Sequence, residues 1–190
     1  MSNFFAMISR MKYIDRWGLM NNTKTENISE HSLEVAILSH ALVTIANTRL
    51  GADLNADRAA VIGMFHDASE ILTGDMPTPV KYFNPEIKNA YKAVEKVAED
   101  KLVGMLSEDL QSVYKPLLSN EDEVLEQYVK AADKLSAMIK CIEEVRMGNN
   151  EFQKAKAATE QSLLDMELPA LKIFMEEYLP SYYLTLDELG

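Results

Sequence analysis

Cysteine is almost absent from this chain of 190 residues, which contains only Cys141. An internal disulfide is therefore excluded, and a reducing compartment is the simplest expectation. Glycine and proline are also scarce, at seven and six residues, which favours long helices over a fold rich in β-turns. No apolar run approaches the roughly 18 residues that a membrane span needs. The start is rich in Phe and Met but lacks the basic segment of a signal peptide, so we expect a cytoplasmic protein without a membrane span.

Basic residues are too few to balance the acidic ones. The chain has 19 Lys and Arg against 30 Asp and Glu, which gives a net charge of −11. Because this charge repels nucleic-acid backbones, a protein that binds nucleic-acid polymers is disfavoured. An anionic substrate such as a phosphate would require a bound metal ion, or a few well-placed Arg and Lys, to reverse the local field.

Apolar residues recur at helical spacing and predict an all-α, single-domain bundle that covers residues 1–190. Asn27 is the predicted N-cap of the first long helix, with Glu30 as its capping-box partner. A second buried helix is predicted over residues 59–72. The segment 73–84 is irregular, and loops of this kind often carry function. Further helices are predicted from Asn84-Pro85 onward, at 110–117, from 125 to a stop at Gly148-Asn149, at 152–164 and at 170–179. Pro116 is expected to disturb the helix at 110–117.

Several ionisable residues lie within apolar helical segments. His31 falls on an apolar stripe, His66 and Asp67 are adjacent in the second helix, and Asp133 lies among small residues. Each has a structural alternative, because a buried His usually finds a hydrogen-bond partner and an Asp can hydrogen-bond a neighbouring helix. Burying the whole set without compensation is costly, however. Since imidazoles and carboxylates are suitable ligands, we predict that these four residues hold one divalent ion such as Co, Mn or Zn.

Two further features suggest phosphate chemistry. Glu70 follows His66 by four residues, so it is predicted on the same helix face. A carboxylate beside a metal-bound water can act as a general base, or as an acid toward a leaving oxygen. Its alternative roles are a solvated neighbour of the metal site or a salt bridge. Arg16 offers a planar fork that suits phosphate oxygens, and Trp17 a flat face for a sugar or base. Taken alone, this pair is more typical of a structural Trp with a surface Arg.

The order His31, His66-Asp67 and Asp133 resembles the H…HD…D pattern of the HD superfamily. The residues on either side of these positions strengthen the resemblance, which extends over nearly the whole chain, from about residue 4 to residue 186. The sequence is similar to that of the YfbR-type 5′-deoxynucleotidases in the segments IDRWGLM, TENISEHSLEVA, FHDASEILTGDMPTPVKYF and KAADKLSAMIKCIEE followed by GNNEF.

The resemblance implies an HD-type helical bundle and a metal-dependent phosphomonoesterase. Its expected reaction is hydrolysis of deoxyribonucleoside 5′-monophosphates to deoxyribonucleosides and inorganic phosphate through a metal-bound water. Glu70 and Arg16 are the expected catalytic groups, and a homodimer is expected. The preference for 2′-deoxy sugars is implied by the resemblance alone. Substrate contacts are expected from Arg16, Trp17, His31, Asp75, Thr78 and Lys81.

Some alternatives remain open for individual residues. Asp75 is a candidate acceptor for the 3′-hydroxyl, whereas Lys81 is explained equally well as a solvated cation. His40 shares a helix with His31 but lies nine residues away, so the two point to nearly opposite sides. We therefore predict that His40 is not a metal ligand.

Other functions also remain open. The nearest is another HD-type phosphohydrolase, acting on a phosphodiester or a nucleotide polyphosphate. A non-catalytic helical interaction module would be expected to lack a ligand, but all four ligand positions are filled. A metal-free bundle with hydrogen-bonded histidines is the third alternative, and metal analysis distinguishes it.

Overall fold

The computed structural model describes residues 2–81, 83–119 and 121–190. Within these ranges the secondary structure is helical, with an isolated antiparallel bridge between Asp15 and Asn27 and no extended strand. The predicted all-α bundle is therefore confirmed. The α-helices of the described ranges are α1 (Phe4–Ile8), α2 (Ile28–Leu50), α3 (Ala56–Phe65), α4 (Glu70–Thr73), α5 (Thr78–Lys81), α6 (Pro85–Val103), α7 (Glu108–Leu118), α8 (Glu123–Arg146), α9 (Gln153–Leu164) and α10 (Pro169–Glu177). Short 3-10 helices span Ser9–Tyr13, Asn150–Phe152, Leu179–Tyr183 and Leu186–Glu188.

The two longest helices, α2 and α8, pack against each other and form the centre of the bundle. The start of α2 is fixed by the predicted capping box, in which the Asn27 side chain accepts hydrogen bonds from the backbone of Ser29 and Glu30. The apolar face of α8 is fully buried at Leu135, Met138 and Ile142. No helix in the described part of the chain is both long and apolar enough to cross a membrane.

A close contact between α2 and α3 depends on Gly63. A Cβ atom at this position would lie 2.9 Å from the Cα atom of Ala36, closer than two carbon atoms normally approach. The missing side chain therefore lets the end of α3 pack directly against the backbone of α2. This contact brings the residues that follow α3 next to His31, which is fully buried on α2.

The single helix predicted over residues 59–72 is wrong. Helix α3 ends at Phe65, residues 66–69 form a turn, and α4 begins at Glu70. Hydrogen bonds from Ala68 N to Phe65 O (3.0 Å) and from Glu70 N to Asp67 O (3.0 Å) tighten the chain across this turn. The apolar spacing continues through the turn, so periodicity alone does not reveal the break.

The irregular segment predicted over residues 73–84 contains a short helix, α5, at Thr78–Lys81. Tyr82, in the same segment, lies outside the described residues. Pro116 lies inside α7 without ending it. The predicted start of α6 is confirmed, since Asn84 caps it and Pro85 is its first residue. The predicted end of α8 is also confirmed, with Gly148 in a left-handed conformation shortly after it.

Candidate metal centre

Two imidazoles and two carboxylates converge where α2, α8 and the turn after α3 meet. His31 Nε2 lies 3.1 Å from Asp133 Oδ1 and 3.4 Å from Asp67 Oδ2. His66 Nε2 lies 3.1 Å from the same oxygen of Asp67. The candidate ligand atoms of His31, His66 and Asp133 all fall within 4.8 Å of one another. Residues that are far apart in the sequence thus form one compact cluster, which we call the His/Asp cluster.

Each histidine of the cluster is oriented by a hydrogen bond at Nδ1. His66 Nδ1 donates to the carbonyl oxygen of Gly63 at 2.7 Å. His31 Nδ1 lies 2.9 Å from Ser136 Oγ, and that hydroxyl donates to Glu34. Ser136 therefore accepts the proton of His31 Nδ1. Because Nδ1 is the donor in both rings, both Nε2 atoms face the His/Asp cluster, as is typical of metal-binding histidines.

The donor set of the cluster fits a divalent metal ion. Among the described residues, His31 Nε2 and His66 Nε2 are buried and make no regular hydrogen bond, although an aspartate oxygen lies 3.1 Å from each. Buried polar atoms of this kind normally have a partner. Two imidazole nitrogens with two aspartates are a common ligand combination for first-row ions. An ion in this position would engage the nitrogens and balance the carboxylates.

The electrostatics of the cluster also favour a cation. Burial and the charge of Arg16 oppose protonation of His31, but the carboxylates of Asp133 and Asp67 outweigh both and raise its pKa to about 9. Burial alone would raise the pKa of Asp67, yet the neighbouring imidazoles of His66 and His31 hold it well below its usual range. The metal-free cluster therefore retains a proton, which a metal ion would displace.

Glu70 lies beside the cluster at the start of α4. Its side chain is 7% exposed, and Oε2 has no hydrogen-bond partner among the described residues. Burial, together with the negative charges of Asp67 and Asp75, raises the pKa of Glu70 to about 10. In the metal-free protein Glu70 is thus a neutral acid near pH 7. It reaches this place through the turn after α3, and not through a continuous helix face as the sequence predicted.

Arg16 borders the cluster from the segment that precedes α2. Its Nη1 donates to Glu26 Oε2 at 2.7 Å, and its Nη2 lies 3.9 Å from Asp133 Oδ1. Trp17 Nε1 donates to the same oxygen of Glu26 at 2.9 Å. The prediction of a surface Arg for this pair, taken alone, does not hold, because the Arg16 side chain is only 13% exposed.

The other predicted substrate residues lie on the segment that leads into α6. Asp75 accepts a backbone hydrogen bond from Trp17, and burial raises the pKa of its carboxyl while the charge of Arg16 opposes that rise. Thr78 is exposed at the start of α5. Lys81 donates to Glu95 Oε1 at 2.9 Å and lies over the ring of Tyr91 at 4.8 Å. The structure therefore places Asp75 close to the cluster, and makes Lys81 an ion-paired side chain instead of a solvated one.

His40 lies on the exposed side of α2, away from the His/Asp cluster. Its Nε2 is 3.5 Å from Asp57 Oδ1, and its Nδ1 is 3.4 Å from Thr44 Oγ1. We expect His40→Gln to keep wild-type metal stoichiometry in elemental analysis of the purified protein. The matched control is His31→Gln, which makes the same substitution on the same helix and should lose metal. Loss of metal from His40→Gln, with unchanged helical content by circular dichroism, would contradict this assignment.

Sequence reasoning did not identify the residues that support the cluster, namely Glu26, Glu34, Gly63 and Ser136. For Glu34 and Ser136, helical spacing from a predicted ligand is visible in the sequence. Glu34 follows His31 by three residues, and Ser136 follows Asp133 by three, so each pair lies on one helix face. That the two faces meet depends on how α2 packs against α8, which no local pattern encodes.

Comparison with solved structures identifies the fold. The crystal structure of an HD-domain phosphohydrolase from Listeria innocua matches with a TM-score of 0.83 at 22% identity, over 95% of this chain and 88% of that chain. The cyanophage S-2L HD phosphohydrolase DatZ, bound to dA and one catalytic Zn²⁺ ion, matches with a TM-score of 0.68 at 19% identity, over 95% and 96% of the two chains. The fold is thus that of the HD-domain phosphohydrolases.

Sequence comparison then narrows the class to one family. The family model described as 5′-deoxynucleotidase YfbR-like matches residues 3–182. The curated 5′-deoxynucleotidase YfbR of Escherichia coli O1:K1 / APEC is 51% identical, over 100% of this chain and 96% of the relative. Its counterpart in Shigella dysenteriae serotype 1 is 50% identical with the same coverage. The chain belongs to the YfbR-like 5′-deoxynucleotidase family, which confirms the resemblance found in the sequence.

Proposed function

We propose that this protein is a metal-dependent 5′-deoxynucleotidase, which hydrolyses deoxyribonucleoside 5′-monophosphates to deoxyribonucleosides and inorganic phosphate. The observation that carries the proposal is the pair of buried Nε2 atoms of His31 and His66, which make no regular hydrogen bond and face Asp67 and Asp133. Membership of a family whose curated relatives are 5′-deoxynucleotidases supports the substrate class.

His31, His66, Asp67 and Asp133 are the proposed ligands of one divalent first-row ion per subunit, such as Co, Mn or Zn. When bound, such an ion acts as a Lewis acid toward phosphate and lowers the pKa of a coordinated water. The Nδ1 hydrogen bonds to Ser136 and Gly63 support this assignment, because they leave both Nε2 lone pairs available to the ion.

The remaining residues of the proposed site bind the nucleotide and move protons. Arg16 holds phosphate oxygens with the guanidinium nitrogens that Glu26 leaves free, and its partial burial strengthens that contact. Glu70, whose buried carboxyl lies beside the proposed metal ligands, donates a proton to the leaving 5′ oxygen. It regains a proton from the water molecule whose oxygen adds to phosphorus.

The nucleoside half of the substrate is proposed to lie along the segment from Asp75 to Lys81. The Asp75 carboxylate is suited to accept a hydrogen bond from the 3′-hydroxyl. Because Asp75 also accepts a hydrogen bond from the Trp17 backbone, the proposed sugar contact lies next to the proposed base contact. Thr78, Lys81 and the proposed metal ligand His31 are the other proposed substrate contacts.

Phosphate release from matched substrates tests the proposed function. Purified protein is assayed with dAMP and AMP, and with the other deoxy and ribo pairs, in chelator and after addition of single divalent ions. We expect metal-dependent release that is faster from the deoxy member of each pair. Turnover of cyclic dinucleotides or nucleoside triphosphates, without monophosphate turnover, would instead indicate a different HD-type phosphohydrolase.

The proposed function also includes the domain organisation, subunit assembly and compartment of the protein. We propose that residues 1–190 form one HD domain of a cytoplasmic homodimer. The lone thiol of Cys141 is buried and supports a reducing compartment. Apolar and aromatic side chains that remain exposed near the C-terminus, such as Tyr183 (43%) and Leu186 (84%), support a subunit contact.

Arg16→Lys should retain the metal but lose activity, since a point charge cannot reproduce the planar two-pronged contact of a guanidinium. We expect kcat/KM to fall roughly 10- to 100-fold, as for the loss of a hydrogen bond to a charged group. Arg49→Lys is the matched control, because Arg49 pairs with Glu177 at 2.6 Å on the surface. Unchanged kinetics in Arg16→Lys at full metal occupancy would place Arg16 outside the phosphate site.

A further inference from the structure

One carboxylate oxygen, Glu26 Oε2, connects the two side chains of the Arg16-Trp17 pair. It accepts a hydrogen bond from Arg16 Nη1 at 2.7 Å and another from Trp17 Nε1 at 2.9 Å. The side chains of Arg16 and Glu26 are only 13% and 14% exposed, so this contact is shielded from water. Charge-assisted hydrogen bonds in such surroundings are among the stronger and more directional ones in proteins.

The side chain of Glu26 is not needed to hold the backbone of this segment. Arg16 N donates to the backbone carbonyl of Glu26 at 2.9 Å, and Ile28 N donates to the carbonyl of Ile14 at 3.0 Å. These backbone bonds, with the Asp15–Asn27 bridge, fix the path of the chain before α2. What the carboxylate adds is the orientation of two functional side chains.

The backbone of Trp17 supports a specific role for this arrangement. Its φ angle is +62°, in the left-handed region that L-residues rarely adopt. Such a conformation persists where the surroundings hold it, and it often marks a functional site. The indole ring packs against Phe152, with ring centroids 5.3 Å apart, while Glu26 holds its Nε1 edge. The ring therefore has a defined plane next to Arg16.

Glu26 also balances the pull of the metal ligands on Arg16. Arg16 Nη2 already lies 3.9 Å from Asp133 Oδ1. Among the described residues, Glu26 Oε2, at 2.7 Å from Nη1, is the nearer of the two carboxylates that contact this guanidinium. Without the charge of Glu26, the remaining attraction would draw Arg16 toward the carboxylates of the His/Asp cluster, where it would compete with the metal ion.

We propose that Glu26 is a positioning residue, which fixes the orientation of the Arg16 guanidinium and the Trp17 indole relative to the His/Asp cluster. One carboxylate thereby aligns the group that orients phosphate and the surface that receives the nucleoside. This inference rests on the proposed function, since it assigns Arg16 and Trp17 to substrate binding.

The first test compares Glu26→Gln with Glu143→Gln in phosphate release at saturating metal ion. Glu143 is a matched control, because it lines the same cavity of about 200 Å³ as Glu26 and is exposed on α8. We expect kcat/KM of Glu26→Gln to fall roughly 10- to 100-fold, as for the loss of charge-assisted hydrogen bonds. Glu143→Gln should stay within about twofold of wild type, as is usual for a surface change. Equal activities of the two variants would overturn the proposal.

A double-mutant cycle separates positioning from a general structural effect. If Glu26 acts largely through Arg16, the loss caused by Glu26→Gln should shrink to a few-fold in an Arg16→Lys background. A merely structural role predicts that the two losses multiply in full. That result, with circular dichroism showing intact helices, would also overturn the proposal.

Fluorescence provides a readout that requires no turnover. Trp17 is the only tryptophan in the sequence, so the emission reports this site alone. In substrate-free protein, Glu26→Ala should change the emission maximum and increase quenching by acrylamide, whereas Glu143→Gln should not. If wild-type protein hydrolyses no monophosphate, the proposed function fails. A change in emission in Glu26→Ala would still show that Glu26 orients the Trp17 side chain. Unchanged emission in a folded Glu26→Ala variant would overturn the proposal that Glu26 positions the Trp17 side chain.

Discussion

Asp133→Ala should abolish phosphate release and strongly reduce the metal content of the purified protein. Asp133 Oδ1 lies 3.1 Å from His31 Nε2, and it is the contribution of α8 to the proposed ligand set. Removal of a direct ligand should exceed the roughly 10- to 100-fold cost of losing a residue that only supports a ligand. The measurements are phosphate release with added divalent ion and elemental analysis after dialysis.

The fold should survive this substitution, because the Asp133 side chain is 45% exposed and leaves no sealed cavity. Asp57→Ala is the matched control, since Asp57 is 94% exposed and contacts only the outlying His40 among the histidines of the described chain. It should keep both metal and activity. Wild-type turnover by Asp133→Ala in chelated buffer would refute the metal hypothesis itself.

The sequence predicted the helical framework well wherever local chemistry decides it. Asn27 caps α2 through its own side chain, and Pro85 starts α6 because its fixed backbone angle suits a first helical position. The break after Phe65 was missed for an equally physical reason. Apolar residues continue at helical spacing through the turn at residues 66–69, and the bonds that form the turn leave no signature in residue type.

The candidate site divides in a similar way. His31, His66, Asp67 and Asp133 were named from the sequence, and in the structure they lie together. Their surroundings were not predictable, because Ser136 meets His31 only through the packing of α2 against α8. The shared hydrogen bond of Arg16 and Trp17 with Glu26 likewise depends on the return of the chain across the Asp15–Asn27 bridge.

Glu70→Gln should slow turnover by roughly 10²- to 10⁴-fold, the usual effect of removing a positioned proton-transfer group. Glutamine keeps the shape of the side chain but cannot pass a proton to the leaving 5′ oxygen. The variant is assayed for phosphate release at saturating metal ion, and its metal content is measured in parallel. Glu99→Gln is the matched control, because burial also raises the pKa of Glu99, which lies on α6 beside Lys96.

The stability of the metal-free Glu70→Gln protein distinguishes a functional loss from a folding defect. The pKa of Glu70 is raised to about 10 by burial and by the charges of Asp67 and Asp75. The unfolded chain ionises Glu70 near its ordinary pKa, so the folded protein loses stability as the pH rises from that value toward the raised one. A neutral amide lacks this penalty. At pH 7, metal-free Glu70→Gln should therefore melt at the same temperature as wild type or higher, while its turnover collapses. A turnover loss below about threefold, far under the range for proton transfer, would instead give Glu70 a structural role.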